Sequence, residues 1–343
     1  MQFSVFISSE HNPGPEATTG FAGHVEQIRL AREVGFDGVA MGNHLSYGET
    51  VWFPTLETLM RIAPEAEGMK MASCVLILPL YHPLLVAQQA ALLDIASGGR
   101  FTLGVAPGWQ QDEFKVLGID FKTRMSRFRE SVELIRRLYT EKGVTFAGKH
   151  FNTENLTLVL QPLQKPRPPM WFGGSVDPAI KRAAELTDTA LGDTWVASAH
   201  LHTSVIAGQA NLYRESLDKL GKPQPKELPL LRNIVVAPDK ETAIREAGPY
   251  LAASYKVFGQ WGVFSEVAGL GKQTLELEEL LADRIILGSP EQVAEQLLEL
   301  AHATGFQRLI TRIQWVGMEQ RIVLRTIELL GTKVLPMLRK ELG

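Results

Sequence analysis

The sequence predicts an α/β fold of the (β/α)8 TIM-barrel type with insertions in its βα loops. Eight short apolar runs without polar alternation recur along the chain, as strands buried on both faces of a parallel sheet require. Each is followed by a longer stretch of helical periodicity that can cover the outside. The 343 residues hold the roughly 250 of such a barrel and leave the surplus for loops. A doubly wound open sheet, the other arrangement considered, would leave several strands to find edges.

In chain order the runs are Phe3 to Ile7, Gly38 to Met41, Cys74 to Leu78, Phe101 to Val105, Met170 to Phe172, Ala190 to Trp195, Asn233 to Ala237 and Leu309 to Ile313. The helices between them carry start and stop signals. Pro83 to Ala96 ends at Ser97-Gly98-Gly99. From about Thr123 to Thr140, Met125, Phe128, Val132, Ile135 and Leu138 recur at three- and four-residue steps. Ser289-Pro290-Glu291-Gln292 reads as N-cap, first-turn proline and capping box, and Gly305 as the residue that closes the helix. Two stretches break the rhythm: Gly143 to Pro169, which reads as a hairpin and a Pro-rich return, and Phe258 to Leu281. The chain thus reads as a single domain over 1–343 with insertions at about 143–169 and 258–281.

Composition narrows the function classes. The chain is 45% hydrophobic and 21% charged, ordinary for a globular protein, and a chain this long buries its core without disulfides or a structural metal. Its one cysteine, Cys74, and the lack of zinc spacing imply a reducing, cytoplasmic setting and no metal site. Lys and Arg number 35 against 38 Asp and Glu, a net of −3, with no basic run to track nucleic acid. The N-terminus lacks a secretory pattern, and no window has the apolar length of a membrane helix.

Several motifs invite a chemical reading. Gly143-x4-Gly148-Lys149-His150 nearly matches a phosphate-binding loop, but His150 stands where Ser or Thr should bind magnesium and Val144-Thr145-Phe146 favours strand, so a hairpin turn is the better account. No G-x-G-x-x-G follows a strand, and neither H-E-x-x-H nor G-x-S-x-G occurs. His44 falls just past the second strand, at the end where barrel active sites are built; it is either a site residue or a histidine satisfying loop hydrogen bonds. Asn43 beside it could orient its ring or a ligand carbonyl. Gly104-Val105-Ala106-Pro107-Gly108-Trp109, after the fourth strand, offers small residues for a flat ligand and an aromatic ring to pack on it, or a plain Gly/Pro turn with a structural Trp. Gly173-Gly174-Ser175 leads into a helix at about Pro178 to Glu185, as a phosphate site or a simple helix start would. Arg124, Arg127 and Arg129 crowd the first turns of a helix, where positive charge opposes the dipole and calls for a phosphate, an acidic neighbour or solvent. Cys74, Trp109, Trp195 and Trp315 read as core or pocket wall.

Together these segments resemble the bacterial luciferase-like family of flavin-dependent oxidoreductases. The resemblance is carried by AREVGFDGVAMGNH (31–44), by 78–120 from LPLYHPLL to VLGID, by RMSRFRESVELIRRLY, by QKPRPPMWFGGS and by LGSPEQVAEQLLELAHATGF. It implies the same barrel, with a flavin across the C-terminal mouth of the strands. Family monooxygenases take reduced FMN from a separate reductase, and with O2 oxygenate an organic substrate in a site shielded from water. By resemblance, His44 is the active-site histidine, Gly173, Gly174 and Ser175 are the phosphate-binding turn and Trp109 lies close to the flavin; with them Asn43 is expected to be catalytic and Cys74, Ala106, Arg124 and Arg127 to contact the cofactor. The light-emitting branch carries an acidic residue and two histidines at the positions of Asn43-His44-Leu45, and an arginine for the flavin phosphate at the position of Pro107, so light emission is not expected here. A second branch uses the deazaflavin coenzyme F-420 for hydride transfer, and Asn43-His44-Leu45 matches it about as well. A barrel that binds flavin with little turnover is the third possibility. Substrate choice falls to the loop His44 to Phe53, to 143–169 and to 258–281, where Tyr255, Phe258, Trp261 and Phe264 imply an apolar lid and a small, apolar substrate. The family also implies a homodimer.

Overall fold

The computed structural model describes residues 1–46, 49–260 and 277–342, the side chains of 277, 278 and 280 excepted. The barrel strands are β1 (Gln2–Ile7), β2 (Gly38–Met41), β3 (Lys70–Ser73), β4 (Phe101–Ala106), β5 (Met170–Gly173), β6 (Thr194–Val196), β7 (Pro229–Val236), β8 (Ile285–Gly288) and β9 (Arg308–Arg312), and Glu10–His11 pairs antiparallel with Val51–Trp52 outside the barrel sheet. They form a curled parallel sheet in the order β6-β5-β4-β3-β2-β1-β9-β7-β8. A bridge between Ala197 and Leu230 joins the β6 end to β7 and closes the barrel.

Alternation along each strand sorts its residues onto two faces. On β1, Phe3, Val5 and Ile7 join the large core beneath the helices. Phe6 instead packs with Ala40, Ala72, Cys74, Trp171, Val196 and Ile310 in a second cluster. Because β1, β2, β3, β5, β6 and β9 each contribute, that cluster is the filling of the lumen.

Three strand expectations need correction. The third strand is Lys70–Ser73, one step before the apolar run Cys74 to Leu78. That run crosses the end of the sheet and is strand only in part: the Cys74 N–H donates to Met41, Leu76–Ile77 forms a two-residue strand parallel to Val105 and Ala106, and a 3-10 turn follows at Leu78–Leu80. Ala190 to Trp195 divides at Gly192, whose φ of 80° ends a 3-10 turn before β6 starts at Thr194. Finally, β8 adds a ninth strand that was not anticipated, four apolar-rich residues directly before a helix start.

The helices follow their signals. Of the helices in chain order, α1 (Pro15–Glu33), α2 (Thr55–Ile62), α3 (Pro83–Ala96), α4 (Gln111–Val116) and α5 (Arg124–Thr140) precede the antiparallel hairpin Val144–Ala147/Asn152–Leu156. After it come α6 (Asp177–Leu186), α7 (Thr203–Lys219), α8 (Lys240–Gln260), α9 (Leu277–Asp283), α10 (Pro290–Thr304), α11 (Gln320–Leu329) and α12 (Leu335–Leu342). The Ser289/Gln292 capping box is formed, and Gly305 closes α10 at φ 65°. No helix among the described residues is long and apolar enough to cross a membrane.

Candidate active site

β2 ends at Met41, and the loop after it carries Asn43 and His44 to the C-terminal mouth of the barrel. The His44 Nδ1 lies 3.1 Å from Glu113 Oε1, which also accepts the Leu45 N–H at 2.7 Å. Glu113 comes from the first turn of α4 and is fully buried, whereas the His44 side chain is 20% exposed. The other carboxylate oxygen, Glu113 Oε2, is buried with no hydrogen-bond partner among the described residues. Trp52 packs 4.6 Å from the His44 ring and Trp109 6.1 Å away, edge-on. His44 is thus held in an aromatic slot by a buried acid.

Asn43 does other work. Its amide donates to the Tyr81 hydroxyl at 3.0 Å and accepts the Ile77 N–H at 3.2 Å, so it fixes the chain that crosses above β4. Orienting the imidazole falls to Glu113, not to Asn43. Burial pushes the Tyr81 hydroxyl above its ordinary range, outweighing the opposing bond from Asn43. Tyr81 therefore stays protonated and available as a donor.

The mouth floor is lined by small residues because the strands approach closely. A Cβ on Gly104 would meet the Ser73 carbonyl oxygen at 2.0 Å, and one on Gly173 would crowd Val75 and Ala106 at 3.1 and 3.3 Å. Cys74 lies in the lumen cluster, and burial pushes its thiol up to about 12, so it stays a neutral wall group.

After β5, the carbonyls of Gly174 and Ser175 accept from Trp195 Nε1 and Gln209 Nε2, both at 2.8 Å. Those bonds fix the turn that enters α6, a helix whose first residues receive no side-chain cap. A Cβ on Gly174 would stand 2.5 Å from that of Ala179, so only glycine fits.

The arginines on α5 divide. Arg129 pairs with Glu185 at 3.0 Å, the acidic compensation that the sequence left open. Arg124 lies on the Phe121 ring and bonds its carbonyl. Arg127 donates to the Pro79 carbonyl and lies over Phe151, half-buried, with its guanidinium pulled below the ordinary range by burial. Sequence reading passed over Arg182 on α6, which is lowered first by burial and then by Arg129 and Arg124, its close neighbours. It also missed Glu113, 69 residues from His44; only the barrel brings the two together. Of the apolar lid, Tyr255 and Phe258 are buried against His200, while Trp261 and Phe264 lie outside the described residues.

The hairpin turn at Gly148 excludes a phosphate loop there. The Glu130 carboxylate accepts the N–H groups of Lys149, His150 and Phe151 at 3.0, 2.9 and 3.3 Å. Among the described residues no group of three or more His, Cys, Asp or Glu side chains could hold a metal ion.

Residues 1–308 match the family described as luciferase-like monooxygenase. Over 272 residues the chain is 26% identical to the oxygenase component of a flavin-dependent trigonelline monooxygenase from Acinetobacter baylyi, covering 76% of this chain and 72% of that one. It is 27% identical to an F-420-dependent glucose-6-phosphate dehydrogenase from Nakamurella multipartita, covering 91% of both. A monooxygenase structure from Streptomyces bottropensis superposes with a TM-score of 0.83 at 21% identity, over 98% of this chain and 99% of that one.

Proposed function

The chain belongs to the luciferase-like monooxygenase family, and from that premise we propose that it is the oxygenase of a two-component system, taking reduced FMN from a separate reductase and using O2 to oxygenate a small organic substrate. The observation that carries this reading is the His44–Glu113 pair in its aromatic slot, alongside close-packed glycines at Gly104 and Gly173 and an uncapped glycine turn after β5. The floor at Gly104, Ala106 and Gly173 admits a flat ring system against backbone, with Cys74 below it and Trp109 beside it. Gly173, Gly174 and Ser175 would take the phosphate at the positive end of α6, with Arg124, Arg127 and Arg182 supplying charge in place of the arginine that Pro107 replaces.

Bound reduced flavin supplies the two electrons that activate O2. The protein's part is positional. Glu113 fixes the His44 imidazole as the group that gives or takes a proton at the cleft, Trp52 and Trp109 keep water from it, and Asn43 with Tyr81 holds the roof. His44→Ala is expected to slow oxygenation about 100-fold with little change in the Kd for reduced FMN. Glu113→Gln should keep part of that activity, because an amide can still meet the ring.

A hydride-transfer reading with coenzyme F-420 is favoured by the wider coverage of the dehydrogenase relative. Anaerobic titration with reduced FMN and with reduced F-420, followed by O2, separates the two. Micromolar binding of reduced FMN with substrate-dependent O2 uptake supports the oxygenase. Tight F-420 binding without O2 uptake assigns hydride transfer, and flavin binding with neither leaves a binding protein. A homodimer and a cytoplasmic setting complete the proposal; the exposed Leu85, Leu92 and Ile95 on α3 offer an apolar face for a second copy, which sedimentation would detect.

A further inference from the structure

A second charged cluster lies at the same mouth, two strands along the sheet from His44. β7 forks there: its first half pairs with β9 and its second with β8, so Asn233 is the register partner of both Arg312 and Ile285. The fork brings together Arg312, at the end of β9, and Arg284, just ahead of β8. The Arg284 guanidinium donates to the His200 carbonyl. The His200 Nδ1 lies 3.3 Å from the Tyr255 hydroxyl, which accepts from Asn233 at 2.6 Å.

The arginines of this cluster are unevenly paired. Arg312 meets Glu10 at 2.7 Å, and the nearby Arg232 meets Asp283 at 3.5 Å. Arg284 makes no ion pair within 4 Å among the described residues, and Asp283 and Glu279 act on it only from farther away. His200 adds no charge, because burial and then Arg312, Arg284 and Arg232 push it down to about 3. Arg284 and Arg312 are 1% and 5% exposed, yet the Nε of each, and the indole N–H of Trp315, find no acceptor among the described residues. Buried donors are rarely left so. The cluster is also continuous with the reacting end of the site: Glu10 is the strand partner of Trp52, whose ring packs on His44.

We propose that Arg312 and Arg284, with His200 beside them, form the subsite for an oxyanion, a carboxylate or sulfonate, carried by the organic substrate. This rests on the reading that His44 marks the reacting end, and it replaces a wholly apolar substrate with one that has an anionic handle. Phe258, 5.3 Å from the Arg312 guanidinium, would cover the apolar part next to the handle.

The test is calorimetric titration of the full chain, saturated with FMN, with benzenesulfonate and with the neutral benzenesulfonamide. The sulfonate should bind at least about tenfold more tightly, the worth of one charge-assisted hydrogen bond. Arg312→Gln and Arg284→Gln should erase that preference and leave the FMN Kd within about twofold. Glu10→Gln, which removes the competing carboxylate, should tighten the sulfonate; this variant gives a test of opposite sign if an arginine variant fails to fold. Equal binding of the two probes by the native protein overturns the proposal, as does a preference that survives in folded Arg312→Gln and Arg284→Gln. Failure of FMN to bind counts against the oxygenase reading alone, since the two probes can then be compared on the flavin-free protein.

Discussion

Two glycine-bearing turns in this barrel are made of similar material and end differently. At the hairpin around Gly148, three successive backbone N–H groups converge on the Glu130 carboxylate. At Gly173–Ser175 the carbonyls are tied back by Trp195 and Gln209, and the helix that follows has no side-chain cap. One turn is closed by the chain's own anion; the other has no side-chain cap, and the proposed function gives it the flavin phosphate. The turn residues alone do not separate these cases. What separates them is whether the neighbouring helix contributes an acid, as α5 contributes Glu130.

The strongest way to break the comparison is to fill each turn. A side chain at Gly174 would stand 2.5 Å from the Ala179 Cβ, which cannot move aside, whereas one at Gly148 would strike the Glu130 carboxylate at 2.4 Å. Gly174→Val should therefore weaken FMN binding about 100-fold, on the order of 3 kcal/mol. Gly148→Val should leave FMN affinity unchanged and lower the melting temperature. Equal effects on flavin would abolish the distinction. Next in size, Glu130→Ala removes the acceptor of three N–H groups. It should cost about 1–3 kcal/mol in urea unfolding without altering flavin affinity.

Acid gives the most gradual of these effects. His24 is buried with His11, Phe21 and Phe53, and burial, then His11, pushes it down to about 3. An unfolded histidine titrates near 6.5. Below that pH the unfolded chain takes up a proton that folded His24 refuses, so stability is fully present above 6.5 and is lost as pH falls toward 3. The loss is about 1.4 kcal/mol per pH unit for this group. His24→Phe should flatten the slope of urea midpoint against pH between 6.5 and 4. An unchanged slope would assign the acid response elsewhere, His11 and His200 being the next candidates.

The barrel was legible because periodicity and caps are local signals. Ser289-Pro290 through Gly305 and the α5 face could be read from neighbouring residues alone. The misplaced third strand shows the limit of that reading: Cys74 to Leu78 is the more apolar run, yet the sheet uses Met71 and Ala72, since a small lumen residue must stand opposite Ala40. β8 escaped because four residues that abut a helix start leave no gap to mark a strand. In the candidate site, position after a strand was enough to put His44 and the Gly173 turn at the C-terminal end of the barrel. Glu113 was out of reach, because an acid in a first helical turn is a common dipole partner and only closure of the barrel sets it against His44. Arg182 was hidden likewise by its ordinary place on a helix face.

The proposed function requires the Gly173–Ser175 turn to take a flavin phosphate. The most direct measurement compares the Kd of reduced FMN with that of reduced riboflavin, which lacks only the phosphate, in the native chain and in Gly174→Val. The native chain should prefer FMN by about 100-fold and the variant should bind both alike. Equal binding of the two by the native chain, or a preference that survives in the variant, would contradict the claim.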